Sequence, residues 1–232
     1  MARDGAPRSG RMLHTRVRTA RYRSLSSARW LERQLNDPFV AAAKRAGYRS
    51  RAAWKLLQLD DRYKLFHAGS RVLDLGAAPG GWSQVAVERC LAGAPGGGAV
   101  LAVDIAAMAP IPGATCLKLD FMAADAETRI RAALGGAVDV VLSDMAAPAT
   151  GHRQTDHIRI MGLAESAFHF ACQVLKPGGH FVAKVLKGGT ENALLAALKQ
   201  HFRQVRHAKP EASRKDSAEA YVVATGFKGG AG

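Results

Sequence analysis

Hydrophobic and polar positions follow two periods along the chain, and the period changes between residues 63 and 71. Before the change, apolar residues recur at helical spacing; after it, short apolar runs alternate with helical segments. Helices are predicted over residues 26–35, 37–47, 50–63, 82–91, 123–134, 156–175 and 190–201. Strands are predicted over residues 71–75, 99–105, 115–121, 138–144 and 180–186, and then in the segments FRQVRHAK and AYVVATGF.

This alternation predicts an α/β fold with a mostly parallel sheet and helices on both faces. The last two strands follow each other without a helix, so the final strand is expected to be antiparallel. We predict one domain over residues 26–228, made of a helical lead-in (26–63) and an α/β core (70–228). A basic N-terminal extension, residues 1–25, lacks periodicity and is expected to be disordered.

Positive charge is concentrated at one end of the chain. Residues 1–55 hold 14 Lys and Arg against 3 Asp and Glu, whereas residues 56–232 hold 19 against 16, within a net charge of +14. A polycationic segment binds polyphosphates through the release of counterions. We therefore expect a nucleic acid partner that is contacted by the basic residues 1–55.

No targeting or membrane segment is evident in the sequence. The N-terminus is rich in arginine but has no apolar core, which excludes a secretory signal and leaves an organellar transit peptide open. No apolar run approaches the roughly 18 residues that span a bilayer. We expect a protein with no membrane partner, located in the cytoplasm, or in mitochondria if the source is eukaryotic.

A glycine-rich loop follows the first predicted strand. Residues 76–81 read GAAPGG, close to the G-x-A-x-x-G pattern of loops that bind nucleotides. Asp104 ends the second strand, where an acid accepts hydrogen bonds from ribose hydroxyls. Asp120 ends the third strand and suits the amine of adenine. These residues meet at the carboxyl edge of the sheet, where such folds bind ligands.

The loop alone fits either NAD or S-adenosylmethionine. A dehydrogenase of this type holds a pyrophosphate at the helix N-terminus. Asp74, inside VLDLG, would repel a pyrophosphate but suits a ligand with an amino group and a sulfonium. The alternative for Asp74 is a structural acid that caps the amides of the loop.

If the ligand is the methyl donor S-adenosylmethionine, two kinds of base methylation are disfavoured as the reaction. Methylation of an exocyclic amine commonly uses a Pro-Pro-aromatic element after the fourth strand, but residues 143–151 read SDMAAPATG. Methylation of a pyrimidine carbon needs a cysteine nucleophile, usually after a proline. None of Cys90, Cys116 and Cys172 follows a proline.

Four charged residues are expected near the same sheet edge. Asp144 ends the fourth strand, and Lys184 lies inside the otherwise apolar fifth strand. Glu219 begins the last strand, and Lys55 lies on the helix before the sheet. Two lysines and two acids suit the deprotonation of a hydroxyl group, such as that of a ribose.

Lys184 is the expected base among these four. Burial and a nearby cation lower the pKa of a lysine, whereas carboxylates raise it. Asp144 would orient Lys184, while Lys55 and Glu219 would position the ribose. Two of these residues also have a non-catalytic alternative. Lys184 could extend its amine to solvent from the end of a strand, and Glu219 could be an ordinary surface acid.

The chain resembles the FtsJ/RrmJ (RlmE) family of ribosomal RNA 2′-O-ribose methyltransferases. LGAAPGGWSQ and RSRAAWKL are specific to this resemblance, which extends over roughly residues 26–228. The matching stretches are residues 26–56, 72–84, 143–146, 178–185 and 213–226.

The resemblance implies a class I, Rossmann-like, S-adenosylmethionine-dependent methyltransferase with a seven-stranded sheet whose last strand is antiparallel. The catalytic tetrad implied by the family is Lys55, Asp144, Lys184 and Glu219, with Lys184 as the proton acceptor. The implied S-adenosylmethionine contacts are Gly80, Trp82, Asp104, Asp120 and Asp144, and no metal is implied. The implied substrate is a uridine ribose of 23S ribosomal RNA on the assembling 50S subunit. Separately from the resemblance, we expect the protein to be a monomer.

One stretch departs from the family pattern, and alternatives remain open. The usual Asp-Met-Ala-Pro-Asn after the fourth strand is DMAAPAT here, with the proline one place later and no asparagine. Transfer RNA is an alternative substrate, since relatives act on it. A non-catalytic, RNA-binding assembly factor and a nicotinamide-dependent oxidoreductase are the alternatives from other functional classes.

Overall fold

The computed structural model of the chain describes residues 15–17, 19–148, 150–186, 191–214 and 217–229. Most of the extension that was predicted to be disordered, residues 1–14 and Arg18, lies outside the described residues. Within the described part, no helix is both long and apolar enough to cross a membrane.

The sheet has the predicted architecture. Its strands are β1 (Arg71–Leu75), β2 (Ala99–Asp104), β3 (Ala114–Lys118), β4 (Val138–Ser143), β5 (Leu175–Leu186), β6 (Phe202–Ala208) and β7 (Glu219–Phe227). They form one seven-stranded sheet in the order β3-β2-β1-β4-β5-β7-β6. β1 to β5 are parallel, and β7 is antiparallel to both of its neighbours, which confirms the predicted orientation of the last strand.

Helices cover both faces of this sheet. They are α1 (Leu25–Leu35), α2 (Pro38–Ala46), α3 (Ala52–Tyr63), α4 (Gly81–Cys90), α5 (Ala126–Leu134), α6 (Arg153–Val174) and α7 (Glu191–His201), with a 3₁₀ turn at Ala20–Tyr22. One core cluster packs α5, α6 and α7 against the sheet, and the other packs α2, α3 and α4 against the opposite face. The alternation of side chains along each strand supplies both clusters: Leu73 and Leu75 join the first, and Val72 joins the second.

The helix boundaries follow from capping residues. The side chain of Asp37 accepts a hydrogen bond from the amide of Phe39, and Pro38 occupies the first turn of α2, where its missing N–H is not needed. Gly47 ends α2 in the left-handed conformation, at φ 78°. The N-cap of α1 is Ser24, so this helix begins slightly earlier than predicted.

The fifth strand is longer than the sequence suggested. The turn residues of the LKPGG stretch led us to predict a break between α6 and a strand beginning at His180. Instead, Leu175 already pairs with Val138 and His180 pairs with Val140, so residues 176–179 of β5 stand opposite the single residue Asp139 of β4. A bulge absorbs the extra residues while the pairing continues.

The topology brings the predicted site residues to one edge of the sheet. β4 and β5 end there, while the antiparallel β7 begins there with Glu219. In the β5–β7 ladder Lys184 pairs with Tyr221, and Leu186 pairs with Glu219. Glu219 and Tyr221 are two residues apart and therefore point to the same face, the one covered by α3 and α4.

Candidate active site

A cavity of about 650 Å³ opens at the carboxyl ends of the central strands. Its wall contains four of the predicted site residues, Asp104, Asp120, Asp144 and Lys184. The first residue of the glycine loop, Gly76, also lines it. A single concave site therefore joins the predicted ligand-binding acids to two members of the predicted tetrad.

The two acids after β2 and β3 are held by backbone amides. Asp104 accepts hydrogen bonds from the amides of Ala78 and Ala106, at 2.8 and 2.7 Å, one on each carboxylate oxygen. Asp120 is exposed and accepts a hydrogen bond from the amide of Met122 at 2.9 Å. A carboxylate has about four acceptor positions, so both acids keep capacity for a ligand in the cavity.

Apolar side chains stand beside these acids. Ile105 is 66% exposed and Met122 is 59% exposed, and both line the cavity together with Phe121. Large apolar side chains left open to water at a concave surface are typical of a site that receives a flat, apolar group.

The glycine loop requires glycine where it meets the segment after β4. Gly76 has φ 75°, and a Cβ on it would lie 2.7 Å from the Cα of Met145. A second close approach occurs at Gly81, the first residue of α4, where a Cβ would collide with the hydroxyl of Ser50. The small residues of GAAPGG thus bring the backbone of Met145 and the side chain of Ser50 against the loop.

Asp74 lies behind the loop rather than in the cavity. Its side chain is fully buried and accepts a hydrogen bond of 2.6 Å from the hydroxyl of Ser83. Burial raises the pKa of this carboxyl to about 7; the Ser83 hydrogen bond opposes the shift, and the charges of Asp144 and Asp104 add to it. Of the two roles that the sequence left open for Asp74, this position favours the structural acid, although its partner is a hydroxyl.

Gly80 and Trp82, two of the expected ligand contacts, lie outside the lining of the cavity. The Trp82 side chain is buried, and its indole N–H donates to the carbonyl of Ala52 at 2.8 Å. Gly80 faces Ile111 and Arg49, and it has φ 111°. Trp82 therefore ties α4 to the helical lead-in.

Asp144 and Lys184 form a close pair in the wall of the cavity. The amine of Lys184 lies 3.0 Å from Oδ1 of Asp144 and donates to the backbone carbonyl of the same residue at 2.8 Å. Both side chains are largely buried, at 10% and 17% exposure. Asp144 thus fixes the position of the Lys184 amine with two of its oxygens.

Lys55 and Glu219, the other two members of the predicted tetrad, form a second ion pair in contact with Tyr221. Burial raises the pKa of Glu219, but the charge and hydrogen bond of Lys55 and the charge of Lys184 outweigh it, so the pKa lies below its ordinary value. Glu219 is therefore ionised at neutral pH.

Tyr221 joins the two pairs, and our reading of the sequence did not identify it. Its hydroxyl lies 2.9 Å from Oδ1 of Asp144, 3.0 Å from Oε1 of Glu219 and 3.1 Å from the amine of Lys55. Burial raises its pKa well above the ordinary value, and the two carboxylates add to the shift, so the phenol keeps its proton. The sequence feature that could have identified Tyr221 is its two-residue spacing from Glu219, which places both side chains on one face of β7.

A second concavity, of about 450 Å³, lies on the other side of the tetrad. Lys55 and Glu219 line it together with Arg33, Arg51 and Arg214. Because three arginines and a lysine stand against one acid, this basic groove suits an anionic ligand.

Two arginines of the basic groove form ion pairs with the same acidic residue. Asp37, which also caps α2, lies 2.7 Å from Arg51 and 4.0 Å from Arg214. Arg51 and Arg214 belong to the stretches RSRAAWKL and SRKDSAEAY. Their match to the family was noted from the sequence, but their convergence on one groove was not predicted.

The DMAAPAT segment forms part of the cavity wall. Met145, Ala146, Ala147 and Pro148 all line it, and the carbonyl of Pro148 accepts a hydrogen bond of 3.3 Å from Arg159. Ala149 lies outside the described residues. In the described parts of the chain, no cluster of His, Cys, Asp and Glu side chains could hold a metal ion.

Comparisons with known proteins identify the family of the chain. The sequence model of the FtsJ-like methyltransferase family matches residues 48–227. A Parvibaculum lavamentivorans protein named ribosomal RNA large subunit methyltransferase E is 61% identical, over 97% of this chain and 91% of its own length. A protein of the same name from Bradyrhizobium diazoefficiens is 57% identical, over 100% of this chain and 99% of its own length.

A solved structure carries the same fold. The structure of a Plasmodium falciparum protein assigned as a ribosomal RNA methyltransferase superposes with a TM-score of 0.69 at 30% identity, covering 79% of this chain and 100% of that one. The identity, the coverage and the conserved architecture together establish that the chain is a methyltransferase of the FtsJ-like family.

Proposed function

We propose that this protein transfers a methyl group from S-adenosylmethionine to the 2′-oxygen of a uridine ribose in large-subunit ribosomal RNA. The observation that carries the proposal is the position of the tetrad between two concavities. Asp144 and Lys184 line the cavity with the predicted ligand-binding acids, and Lys55 and Glu219 line the basic groove. A methyl donor in the cavity and an RNA strand in the groove would meet at these four side chains.

The cavity has the chemistry that S-adenosylmethionine requires. Asp104 is placed to accept from ribose hydroxyls, and Asp120 from the adenine amine. Ile105 and Met122 offer apolar surface for the adenine ring. The bound donor supplies an electrophilic methyl group on a sulfonium and leaves as S-adenosylhomocysteine.

Lys184 is the proposed proton acceptor. A neutral amine has two N–H bonds and one lone pair. The carbonyl and the carboxylate of Asp144 occupy two positions around the Lys184 nitrogen, at 2.8 and 3.0 Å. If both N–H bonds point to Asp144, the lone pair remains for the 2′-hydroxyl, whose proton moves to this nitrogen as the oxygen attacks.

Lys55 and Glu219 are the proposed ribose-positioning pair. They lie at the mouth of the basic groove and are tied through Tyr221 to Asp144. A ribose beside this pair finds a cation and an acceptor, which fix the orientation of the sugar relative to Lys184. Orientation of two bound reactants supplies much of the rate in such reactions.

The RNA class follows from charge and from the named relatives. The net charge of +14, concentrated in residues 1–55, fits a phosphate backbone. Relatives about 60% identical along most of their length are named for the large ribosomal subunit. We propose that the protein works as a monomer in the cytoplasm on the assembling 50S particle.

The test is transfer of labelled methyl from S-adenosylmethionine to large-subunit particles, naked ribosomal RNA and transfer RNA. We expect label in an alkali-resistant dinucleotide from the ribosomal substrates, because a 2′-O-methyl group blocks alkaline cleavage. Lys184→Ala is expected to lose transfer by more than about a hundredfold while keeping donor binding. Lys199→Ala, which removes an exposed lysine of α7, serves as the matched control and should retain wild-type transfer.

Other outcomes decide between the alternatives. Preferential labelling of transfer RNA would name that substrate instead. Donor binding without transfer to any of the three RNAs would favour a non-catalytic assembly factor. Unchanged transfer by Lys184→Ala would refute the proposed base.

A further inference from the structure

The segment that precedes α1 is anchored to the end of that helix. The amide of Thr15 donates to Oδ1 of Asn36 at 2.7 Å, and the side-chain amide of Asn36 donates to the carbonyl of Thr15 at 2.9 Å. Asn36 is the C-cap of α1, whereas Ser24 is its N-cap. Thr15 and Ser24 therefore lie at opposite ends of the helix, which is roughly 16 Å long for its 11 residues, and the chain returns over that length between them.

The returning segment presents apolar side chains to solvent at the start of α1. Tyr22 is 74% exposed and Leu25 is 77% exposed, the two highest values among the exposed large apolar side chains of the described residues. Tyr22 ends the 3₁₀ turn, and its backbone amide donates a hydrogen bond to the carbonyl of Thr19. Most of the apolar surface of both side chains is therefore left in water, three residues apart in the sequence.

Arginines flank Tyr22 in the sequence, and one of them contacts its ring. Residues 15–25 contain Arg16, Arg18, Arg21 and Arg23 and no acidic residue. The guanidinium of Arg21 lies 4.6 Å from the centre of the Tyr22 ring, and Arg23 donates to the hydroxyl of Thr19. An exposed aromatic ring among arginines is the arrangement that binds single-stranded nucleic acids, since bases stack on the ring while the cations neutralise phosphates.

The helix connects this surface to the basic groove. Arg33, in the last turn of α1, lines the groove with Lys55 and Glu219, while Tyr22 stands at the other end of the helix. One RNA strand that enters the groove and follows α1 would pass over Tyr22. This continuity favours RNA over an anionic membrane as the occupant.

We propose that Tyr22 is a stacking platform for an unpaired base of the RNA substrate, several nucleotides from the ribose in the basic groove. The identity of the substrate rests on the proposed function, and the inference adds a discrete contact site outside the donor cavity and the groove. Residues 15–25 would thereby favour an RNA whose target lies in an unpaired segment.

The test is a pair of binding measurements with two labelled probes, a 12-nucleotide oligouridylate and a 12-base-pair RNA duplex. Tyr22→Ala is expected to weaken binding of the oligouridylate by at least about fivefold, the lower range for loss of one stacked base, and to change duplex binding by less than twofold. Tyr22→Trp, which keeps a stacking surface, should bind both probes like the wild type. Leu91→Ala, at another exposed apolar side chain, should do the same.

Three results would overturn the inference. These are equal affinities of wild type and Tyr22→Ala for the oligouridylate, an equal loss for both probes, and no binding of the oligouridylate by the wild type. Tighter binding to vesicles containing anionic lipid than to either RNA, abolished in Tyr22→Ala, would also overturn it in favour of a membrane contact.

Methyl transfer separates this inference from the proposed function. If the wild type labels ribosomal RNA but Tyr22→Ala binds like the wild type, the inference alone fails. If Tyr22→Ala weakens the oligouridylate complex while no RNA is methylated, the proposed function alone fails.

Discussion

Lys184 and Tyr221 meet at one oxygen atom. They are register partners across β5 and β7, and the amine of Lys184 and the hydroxyl of Tyr221 lie 3.0 and 2.9 Å from the same Oδ1 of Asp144. Tyr221 also contacts Glu219 and Lys55. A phenol carries one proton and donates to one carboxylate at a time. Tyr221 therefore connects the two ion pairs without belonging to either.

This connection leads to the first prediction, for Tyr221→Phe. The substitution keeps the ring beside Trp82, whose centre lies 5.5 Å away, and leaves the Asp144–Lys184 and Lys55–Glu219 pairs in contact. We expect methyl transfer in single-turnover measurements to fall by roughly tenfold, because a hydrogen bond to a carboxylate is worth about 1.5 kcal/mol at the lower end of its range. A loss as large as that of Lys184→Ala would instead mean that the phenol takes part in proton transfer.

The second prediction concerns Asp74 and pH. Burial raises its pKa from 3.8 to about 7, so the folded protein holds a proton that the unfolded chain releases near pH 4. The free energy of unfolding is therefore expected to fall as the pH rises from about 4 to 7, and to level off above. Asp74→Asn keeps an acceptor for Ser83 and should remove this decline, raising stability at pH 8 by an amount on the order of a few kcal/mol.

Urea unfolding of wild type and Asp74→Asn at pH 5 and pH 8 measures this effect. Asp125→Asn changes an exposed carboxylate at the start of α5 and should leave the pH dependence of the wild type intact. An equal pH dependence in wild type and Asp74→Asn would show that Asp74 is ionised in the folded protein throughout this range.

The sequence predicted most of the fold because buried parallel strands are nearly continuous apolar runs. The predicted tetrad members Asp144 and Glu219 could be placed at one sheet edge for a similar reason, since each stands at the end of such a run. Tyr221 was missed because an aromatic residue inside an apolar strand has the pattern of a core residue. The early start of β5 was missed because a bulge accommodates turn residues without any local signature.

The third prediction tests the contact between the glycine loop and the helical lead-in. A Cβ on Gly81 would collide with the hydroxyl of Ser50, a buried group that has no hydrogen-bond partner within the described residues. Gly81→Ala is expected to destabilise the protein by about 1–3 kcal/mol, the usual effect of overpacking. Adding Ser50→Ala removes the colliding atom, so the double variant should regain most of the lost stability.

Thermal or urea unfolding of the two single variants and the double variant gives this coupling directly. Gly162→Ala is the matched control, because Gly162 lies within α6 and has open space around its Cα. Because alanine has a higher helix propensity than glycine, this variant should be more stable than the wild type by up to about 1 kcal/mol. Additive losses in Gly81→Ala and Ser50→Ala would refute the predicted contact.

The last prediction assigns a positioning role to Arg49. Its guanidinium donates to the carbonyls of Pro79, Ala109 and Pro110, at 3.3, 2.6 and 2.7 Å, and so ties the glycine loop to the segment after β2. A lysine at this position cannot reproduce that planar set of donors. Because both tied segments border the cavity, Arg49→Lys should weaken binding of S-adenosylhomocysteine by about tenfold in calorimetric titrations. Arg45→Lys, at an exposed arginine of α2, should bind like the wild type, and an equal affinity in Arg49→Lys would show that the loop keeps its shape without the guanidinium.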